Sequence, residues 1–367
     1  MSLVADLHED HGAAFEERGG REVVANYGRP ESAARAIRNG VGTIEMGYGV
    51  VVVEGEDRVE FVDNAVSNRI PGADGEGTYA LLLDPQGAVE TDMYVYNAGE
   101  RLLLFTPPDR AEPLVADWSE KVFIDDVELR DASDEFGVFG VHGPTATEKI
   151  ASVLNGAGAP EPELSFVRGR VDGGPEDDIG VTVVATDAPL GEEGYEVICA
   201  AADAPDVFDT LLTRGLNSAP FGYETWDALT LEAGTPRFEP ELRGRLPNVV
   251  GLRNAVDFEK GCFVGQEVVS KVENRGRPSR RLVGLRPEEL PDPGAAVFDG
   301  DGAVGEVTRA AESPTLDAPA ALAFVDFGTD AVDLSVRIDG EDVPVERVAL
   351  PFVEGGASSA RLPTYPE

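Results

Sequence analysis

Cysteine and histidine are scarce in this sequence. The 367 residues contain two cysteines, Cys199 and Cys262, and the chain has no Cys-x-x-Cys pair. This count argues against a disulfide framework and against a zinc finger of the usual spacing. Of the three histidines, His8 and His11 are one residue too close together for the zinc-protease pattern. We interpret them as polar helix positions and expect no metal site.

Long apolar runs are also missing. No stretch approaches the roughly 20 apolar residues of a membrane span, and the first residues lack the basic start and apolar run of a signal peptide. The P-loop motif and the GxSxG nucleophile elbow do not occur. With 42% hydrophobic content the chain can bury the cores of two or three domains. We expect a cytoplasmic protein that does not bind a membrane.

Positive charge is the third deficit. Against 69 acidic residues stand 30 basic ones, of which four are lysine, and the net charge is -39. In dilute buffer such like charge destabilises a compact state, whereas in molar salt the screening length falls to about 3 Å. The acids are spread along the chain, which favours a protein from a halophile. A surface of this kind repels nucleic acid, so we expect tRNA to be involved only indirectly.

One segment runs against this charge balance. Six basic residues fall between positions 271 and 286 and face a single acid before Glu288, namely Glu273. Guanidinium and ammonium groups at this density bind phosphate, carboxylate or nucleic-acid backbone, although a solvated loop balanced by nearby acids is the alternative. We predict an anion-binding patch, and its candidate residues are Lys271, Arg275, Arg277, Arg280 and Arg281.

Strand and helix patterns alternate irregularly along the chain. Helical patterns cover 3–18 and 30–38, and strand patterns include 79–83, 93–96 and 102–106. This mixture predicts the α+β class. After Arg281 the pattern changes to six short strands separated by turns, which predicts a small C-terminal β-barrel or sandwich over 281–362.

Asp92 stands out within a predicted strand. The two-residue period of a strand puts Asp92, Tyr94 and Tyr96 on one face. A carboxylate beside aromatic rings can manage a proton while the rings stack on a flat heterocycle, but a half-exposed strand with a polar aromatic face has the same pattern. A second carboxylate, Glu196, follows a turn in which we expect Glu192 and Glu193 to be solvated.

Cys262 has one charged neighbour of interest. The flanking Lys260 is the nearest positive charge and would lower the pKa of the thiol. A nucleophilic Cys–His arrangement would require His142 to approach through folding. A buried, inert cysteine is the alternative.

The loop around Cys262 resembles a known signature. Lys260 to Glu267 reads Lys-Gly-Cys-Phe-Val-Gly-Gln-Glu, which is similar to the identifying motif of the YgfZ branch of the glycine-cleavage T-protein (aminomethyltransferase) superfamily. Other segments resemble T-protein elements, and they are Gln86 to Tyr96, Val141 to Ala146, Gly191 to Glu196 and Leu231 to Gly234.

The resemblance implies a three-domain cloverleaf with tetrahydrofolate in a central channel. It implies a folate-binding region over 1–280, made of interleaved units at 1–47 with 137–219 and 48–136 with 220–280. It assigns catalysis to Asp92, with Cys262 as the working residue of the YgfZ branch, and folate contacts to Tyr79, Tyr96, Glu196 and Lys260. Trp226 and Thr230 stand where T-proteins usually carry arginines, so the anchoring of folate carboxylates by those positions is in doubt.

Two functions follow from the resemblance. The first is a YgfZ-like protein that binds tetrahydrofolate and supports iron–sulfur cluster maintenance or tRNA modification, with iron–sulfur assembly proteins as partners. The alternative is an aminomethyltransferase of the glycine-cleavage type that works with a lipoyl carrier protein. If the protein is an enzyme, it is a tetrahydrofolate-dependent one-carbon transferase.

Overall fold

The computed structural model describes residues 2–172 and 178–366, and for Arg275 it describes the backbone. The helices in this part of the chain are Ala5–Asp10 (α1), Pro30–Asn39 (α2), Arg58–Ala65 (α3), Ala111–Ser119 (α4), Ala146–Val153 (α5), Ala204–Thr213 (α6), Tyr223–Glu232 (α7), Pro247–Val250 (α8) and Gln266–Arg275 (α9). None of them is both long and apolar enough to cross a membrane.

The strands of the described residues form four sheets, counting the closed barrel as one. They are Ala14–Arg18 (β1), Arg21–Asn26 (β2), Gly42–Glu45 (β3), Gly49–Glu54 (β4), Glu76–Leu83 (β5), Val89–Asn97 (β6), Arg101–Thr106 (β7), Glu128–Asp131 (β8), Phe136–His142 (β9), Phe166–Asp172 (β10), Asp178–Ala185 (β11), Gly194–Ala200 (β12), Ala219–Pro220 (β13), Arg280–Pro287 (β14), Ala296–Asp299 (β15), Gly302–Ser313 (β16), Ala318–Asp326 (β17), Asp333–Ile338 (β18) and Glu341–Val348 (β19).

A five-stranded sheet in the order β5-β6-β7-β4-β8 carries the candidate site. Its strand β4 is a run of β-branched valines, and successive residues point to opposite faces. Val50 and Val52 pack into a central core, whereas Val51 and Val53 pack under α3 and α4. Both faces of this sheet are therefore buried.

A six-stranded sheet in the order β10-β11-β12-β9-β3-β13 lies on the other side of the central core. Its outer face is covered by α5 and α6, which pack Ile150, Phe208 and Leu211 against strand residues such as Val141. Its inner face contributes Ile44, Val138 and other apolar side chains to the core shared with the first sheet.

The C-terminal strands close into a barrel in the order β14-β17-β16-β15-β18-β19. The closing pair is β14 with β19, from Gly284 opposite Val348 to Pro287 opposite Val345. The predicted α+β class and the predicted six-stranded barrel are both confirmed. Leu322 and Phe324 of β17 point out of the barrel into the central core, so the barrel packs directly on the region that holds the cavity.

The N-terminal prediction was wrong in part. The helical pattern over 3–18 gives a helix only from Ala5 to Asp10, and residues 14–18 form β1 of a hairpin. Gly12 separates the two elements with a φ of 77°, a left-handed conformation that glycine adopts without strain. The hairpin, and not a longer helix, therefore leads from the N-terminus to the cavity.

Candidate functional site

A cavity of about 510 Å³ opens between the five-stranded sheet, the β1–β2 hairpin and α7. Its aromatic lining comes from Tyr48, Tyr79, Tyr94, Phe105, Tyr223, Trp226 and Phe238. Its charged lining comes from Arg18, Asp92, Asp109, Asp227, Arg237, Glu239 and Arg361. A volume of this size fits a drug-sized ligand, for which natural sites measure roughly 300–1,000 Å³.

Asp92 lies in the wall of this cavity on β6. The hydroxyl of Tyr79, on the neighbouring strand β5, donates a 2.7 Å hydrogen bond to Asp92 Oδ2. The other oxygen, Oδ1, is buried and has no hydrogen-bond partner among the described residues. Burial raises the pKa of the Asp92 carboxyl, although the Tyr79 hydrogen bond opposes this effect. A carboxyl with one oriented oxygen and one unpartnered oxygen is suited to exchanging a proton with a ligand.

Tyr94 and Arg361 meet at a third carboxylate, Asp187. Tyr94 donates a 2.8 Å hydrogen bond to Asp187 Oδ1, and Arg361 Nε lies 2.9 Å from Asp187 Oδ2. The Arg361 guanidinium stands over the Tyr79 ring at 5.2 Å and over the Tyr94 ring at 5.7 Å. Tyr79 and Tyr94 thus form an aromatic platform beside Asp92, and a cation faces it.

Glu196 of β12 is buried next to this group. Tyr48, which lines the cavity, donates a 2.7 Å hydrogen bond to Glu196 Oε1. Burial raises the pKa of Glu196 to about 7, and the Tyr48 hydrogen bond offsets part of the rise. Glu196 therefore titrates near neutrality, and the Tyr48 hydrogen bond connects it to the cavity wall.

Glu192 corrects an expectation from the sequence. It is buried rather than solvated, because Arg38 Nη1 and the backbone N–H of Gly356 donate hydrogen bonds to its carboxylate. Glu193 is exposed, as predicted.

Tyr96 lies on the same face of β6 as Tyr94, as the strand period predicts. The two rings stack at 6.3 Å with 12° between their planes. Tyr96 does not line the cavity that contains Asp92, however. It faces a second, more polar cavity of about 910 Å³ between the two sheets, together with Phe136 and Phe166. Tyr96 would therefore not touch a ligand in the first cavity and would act on it only by supporting the Tyr94 ring.

The mouth of the first cavity carries two arginines that the sequence analysis did not single out. Arg18, at the end of β1, donates hydrogen bonds of 3.1 and 2.8 Å to the two oxygens of Asp227. Arg237 pairs with the same carboxylate, and Arg18 also stands over the Tyr223 ring at 4.6 Å. Two guanidinium groups therefore occupy the region near Trp226, where the expected family arginine is missing.

Lys260 lies outside the cavity. Its ammonium donates hydrogen bonds of 2.5 to 3.0 Å to the backbone oxygens of Asp63, Val66 and Asn68, at the C-terminal end of α3. All three ammonium donors are thereby used, and burial lowers the Lys260 pKa. Lys260 thus caps α3 and does not line this cavity, and its contact with folate stays a prediction.

Cys262 is exposed in the loop after Lys260 and does not line the cavity. His142 is fully buried against Phe221 and Trp226, and neither of its ring nitrogens has a hydrogen-bond partner among the described residues. The Cys–His arrangement that the sequence left open is therefore not formed.

The predicted basic patch divides into two parts. Arg280 pairs with Glu306 at 3.2 Å, and Arg281 pairs with Asp330 at 3.2 Å, so these two arginines bind acids of the barrel. Lys271 and Arg277 are exposed near α9. The side chain of Arg275 lies outside the described part of the chain. The patch does not reach the cavity lining.

Asp187, Arg361, Arg18 and Arg237 were missed because nothing in their local sequence marks them. Asp187 lies in the loop between β11 and β12, and Arg361 lies beyond the last strand. A Gly-Gly turn beside Arg18 indicates a hairpin but gives no sign of what the hairpin covers. These residues meet only through the tertiary fold.

Family comparisons agree with this architecture. A model described as the GCVT N-terminal domain matches residues 4–260, and one described as the glycine cleavage T-protein C-terminal barrel domain matches residues 280–354. The chain belongs to the glycine cleavage T-protein family.

Two relatives named aminomethyltransferase resemble the chain over nearly its whole length. The protein from Saccharopolyspora erythraea is 31% identical, with 96% of this chain and 97% of the relative covered. The protein from Cutibacterium acnes is 31% identical, with 95% and 97% covered. The crystal structure of glycine cleavage system aminomethyltransferase T from Bartonella henselae has a TM-score of 0.85 at 23% identity and covers 96% of this chain and 98% of that one. This likeness confirms the T-protein fold.

Proposed function

We propose that this protein is a tetrahydrofolate-dependent aminomethyltransferase of the glycine-cleavage type. The observation that carries the proposal is Asp92, a buried carboxyl in a cavity wall with one oxygen held by Tyr79 and the other without a partner. The full-length relatives named aminomethyltransferase support the same activity. A lipoyl carrier protein is the partner that this activity requires.

The cavity residues fit a reduced folate. Aminomethyltransferases of this family use tetrahydrofolate as the acceptor of the one-carbon unit. Tyr79, Tyr94 and Trp226 offer ring faces and edges for a flat heterocycle. Asp92 offers a carboxyl group that can accept a hydrogen bond from a ring N–H. At the mouth, Arg18 and Arg237 provide cations for the carboxylates of a glutamyl tail.

Asp92 is the proton-handling residue in this mechanism. Tetrahydrofolate supplies the ring amines that accept the one-carbon unit. Tyr79 holds Asp92 Oδ2 and thereby fixes the orientation of this carboxyl in the cavity wall. Because burial raises the Asp92 pKa, the carboxyl gives and takes a proton more readily near neutral pH than an exposed aspartate does. The aromatic walls exclude water, which strengthens the effect of the carboxylate on positive charge that develops beside it.

The test is Asp92→Asn, assayed by ammonia release from an aminomethylated lipoyl carrier protein with tetrahydrofolate in molar KCl. We expect turnover to fall by about 10² to 10⁴, the usual contribution of a general acid or base. Asp84→Asn, a change in the half-buried turn before β6, keeps the side-chain oxygen that accepts hydrogen bonds from Gln86 and Ala88, so it is the matched control and should keep wild-type turnover. Full activity of Asp92→Asn would refute the proposal.

A YgfZ-like role for Cys262 is the second candidate. It is supported by the Lys260–Glu267 motif and by the exposure of Cys262, which leaves the thiol accessible to a partner such as an iron–sulfur assembly protein. Paired variants separate the two candidates in cells. If Cys262→Ser abolishes the cellular function while Asp92→Asn preserves it, the transferase assignment fails, and the opposite result removes the iron–sulfur role.

The net charge of -39 supports a further part of the proposal, namely that the protein works in a cytoplasm of molar salt. Activity and binding should therefore be measured in molar KCl.

A further inference from the structure

The C-terminal segment 352–366 carries one side chain into the cavity. It runs back from the barrel and is fixed to the six-stranded sheet and its loops by backbone hydrogen bonds. Gly356 binds Glu192, Ala357 binds the backbone oxygen of Gly191, and Ala360 binds that of Asp187. Arg361 follows directly and is 8% exposed. The segment therefore places Arg361 in the cavity with little freedom to move.

The guanidinium of Arg361 has donors to spare. Its Nε forms the 2.9 Å ion pair with Asp187. The two terminal nitrogens make no hydrogen bond within residues 2–172 and 178–366, and they are not among the fully enclosed unpartnered atoms. Because Arg361 lines the cavity, these N–H groups reach the space that a ligand would fill. A guanidinium with unused N–H groups in a cavity can donate hydrogen bonds to an acceptor oxygen of a ligand.

The charges around Arg361 indicate which oxygen it binds. Asp187 already neutralises the guanidinium, and Asp92 lines the same cavity. A ligand carboxylate at this point would add a third negative group next to two others, which costs free energy in a buried site. A neutral carbonyl oxygen needs only the N–H donors. Carboxylates are better accommodated by Arg18 and Arg237, which are more exposed than Arg361, because solvent and salt there screen the acids Asp227 and Glu16 that these arginines bind.

We propose that Arg361 donates hydrogen bonds to the ring carbonyl oxygen of the tetrahydropterin and thereby determines which pterin rings the cavity accepts. The inference rests on the proposed function, because it assumes a reduced folate in this cavity. Asp187 acts as a positioning residue that holds the guanidinium. A ring with an amino group in place of the carbonyl would bring donor against donor, and a site built to donate rejects such a ligand strongly.

The experiment measures dissociation constants in molar KCl for tetrahydrofolate and for its 4-amino-4-deoxy counterpart, which has the amino group at that position. We expect the wild type to prefer tetrahydrofolate by about tenfold or more, and the preference to fall close to one in Arg361→Gln. Arg337→Gln, which removes an arginine from an exposed pair with Asp342 on the barrel, is the matched control and should keep the preference. If Arg361→Gln does not fold, Asp187→Asn tests the same point, because release of the guanidinium should also lower the preference.

A second ligand distinguishes the ring from the glutamyl tail. For 6-methyltetrahydropterin, which has no tail, Arg361→Gln should weaken binding by the same factor as for tetrahydrofolate. A weakening that disappears with the tail would assign Arg361 to the carboxylates and overturn the proposal, as would an unchanged preference in Arg361→Gln. Wild-type protein that binds tetrahydrofolate but shows no preference refutes this inference alone. Wild-type protein that binds no reduced pterin refutes the proposed function as well.

Discussion

Three buried carboxyl groups, Asp92, Asp187 and Glu196, surround the candidate site, and each is stabilised in a different way. Asp187 has a full counter-ion in Arg361. Asp92 and Glu196 each accept one tyrosine hydrogen bond, and burial raises the pKa of both. A buried carboxyl without a counter-ion is most stable as the neutral acid. Asp92 and Glu196 therefore lower the stability of the fold when they ionise.

Glu196 allows this cost to be measured. Its pKa of about 7 lies above the ordinary glutamate value of 4.5, so the folded state holds a proton that the unfolded state has released. The contribution of Glu196 to the free energy of unfolding is fully present below about pH 4.5. It is lost as the pH rises through 7, and the loss is about 3 kcal/mol in total. Glu196→Gln removes the ionisation. We expect the variant to gain about 3 kcal/mol relative to wild type between pH 4.5 and pH 8, as measured by denaturant unfolding in molar KCl.

Glu193→Gln is the control for this measurement. Glu193 precedes the same strand but is exposed, and its substitution should change stability by less than about 0.5 kcal/mol at every pH. A difference between Glu196→Gln and wild type that does not vary with pH would show that Glu196 titrates normally.

At the scale of elements, Lys260 caps the C-terminal end of α3, although the two are almost 200 residues apart in the sequence. The last carbonyl groups of a helix have no partners within the helix, and a lysine ammonium satisfies them while opposing the negative end of the helix dipole. Lys260 does this at Asp63 and Val66, and also binds the next turn at Asn68. Lys260 thus holds the loop that contains Cys262 against the end of α3, which packs on the five-stranded sheet.

Lys260→Met should therefore reduce stability without reducing ligand affinity. Hydrogen bonds to a charged group contribute about 1.5–3 kcal/mol each, and they are not additive, so we expect a loss of about 3 kcal/mol in the free energy of unfolding. Folded Lys260→Met should bind tetrahydrofolate as wild type does. Lys271→Met, on the exposed side of α9, should change stability by less than about 0.5 kcal/mol. Loss of folate binding by folded Lys260→Met would return Lys260 to the ligand site.

The elements also explain how much the sequence could predict. The alternation of strand residues identified Asp92 and Tyr94 on β6, because the period of a strand is local, whereas Tyr79 was named through the resemblance to T-proteins. The six barrel strands could likewise be predicted from the turns that separate them. Asp187 and Arg361 escaped prediction because their partners are distant along the chain. The resemblance to T-proteins assigned Lys260 to folate, which stays a prediction, and the carbonyls that it caps cannot be recognised from the loop. The division of residues 1–280 into two interleaved units stays a prediction.

At the scale of the whole molecule, the acids far outnumber their counter-ions. Most described arginines already bind carboxylates or backbone oxygens, as Arg280 and Arg281 do with barrel acids. Local pairing therefore cannot offset a net charge of -39. The remaining repulsion acts between groups several ångströms apart, which is the range over which dissolved salt screens charge. Buried pairs such as Arg361 with Asp187 are screened much less.

The stability of the fold should consequently depend on KCl. Between 0.1 M and 1 M salt the screening length falls from about 10 Å to about 3 Å, and we expect the midpoint of thermal unfolding to rise continuously over this range. Sucrose at matched osmolality is the control, because it favours compact states without screening charge. It should reproduce only a small part of the rise. An unfolding midpoint that is as high in 0.1 M as in 1 M KCl would show that the acids are neutralised within the fold, and the proposed adaptation to molar salt would then be withdrawn.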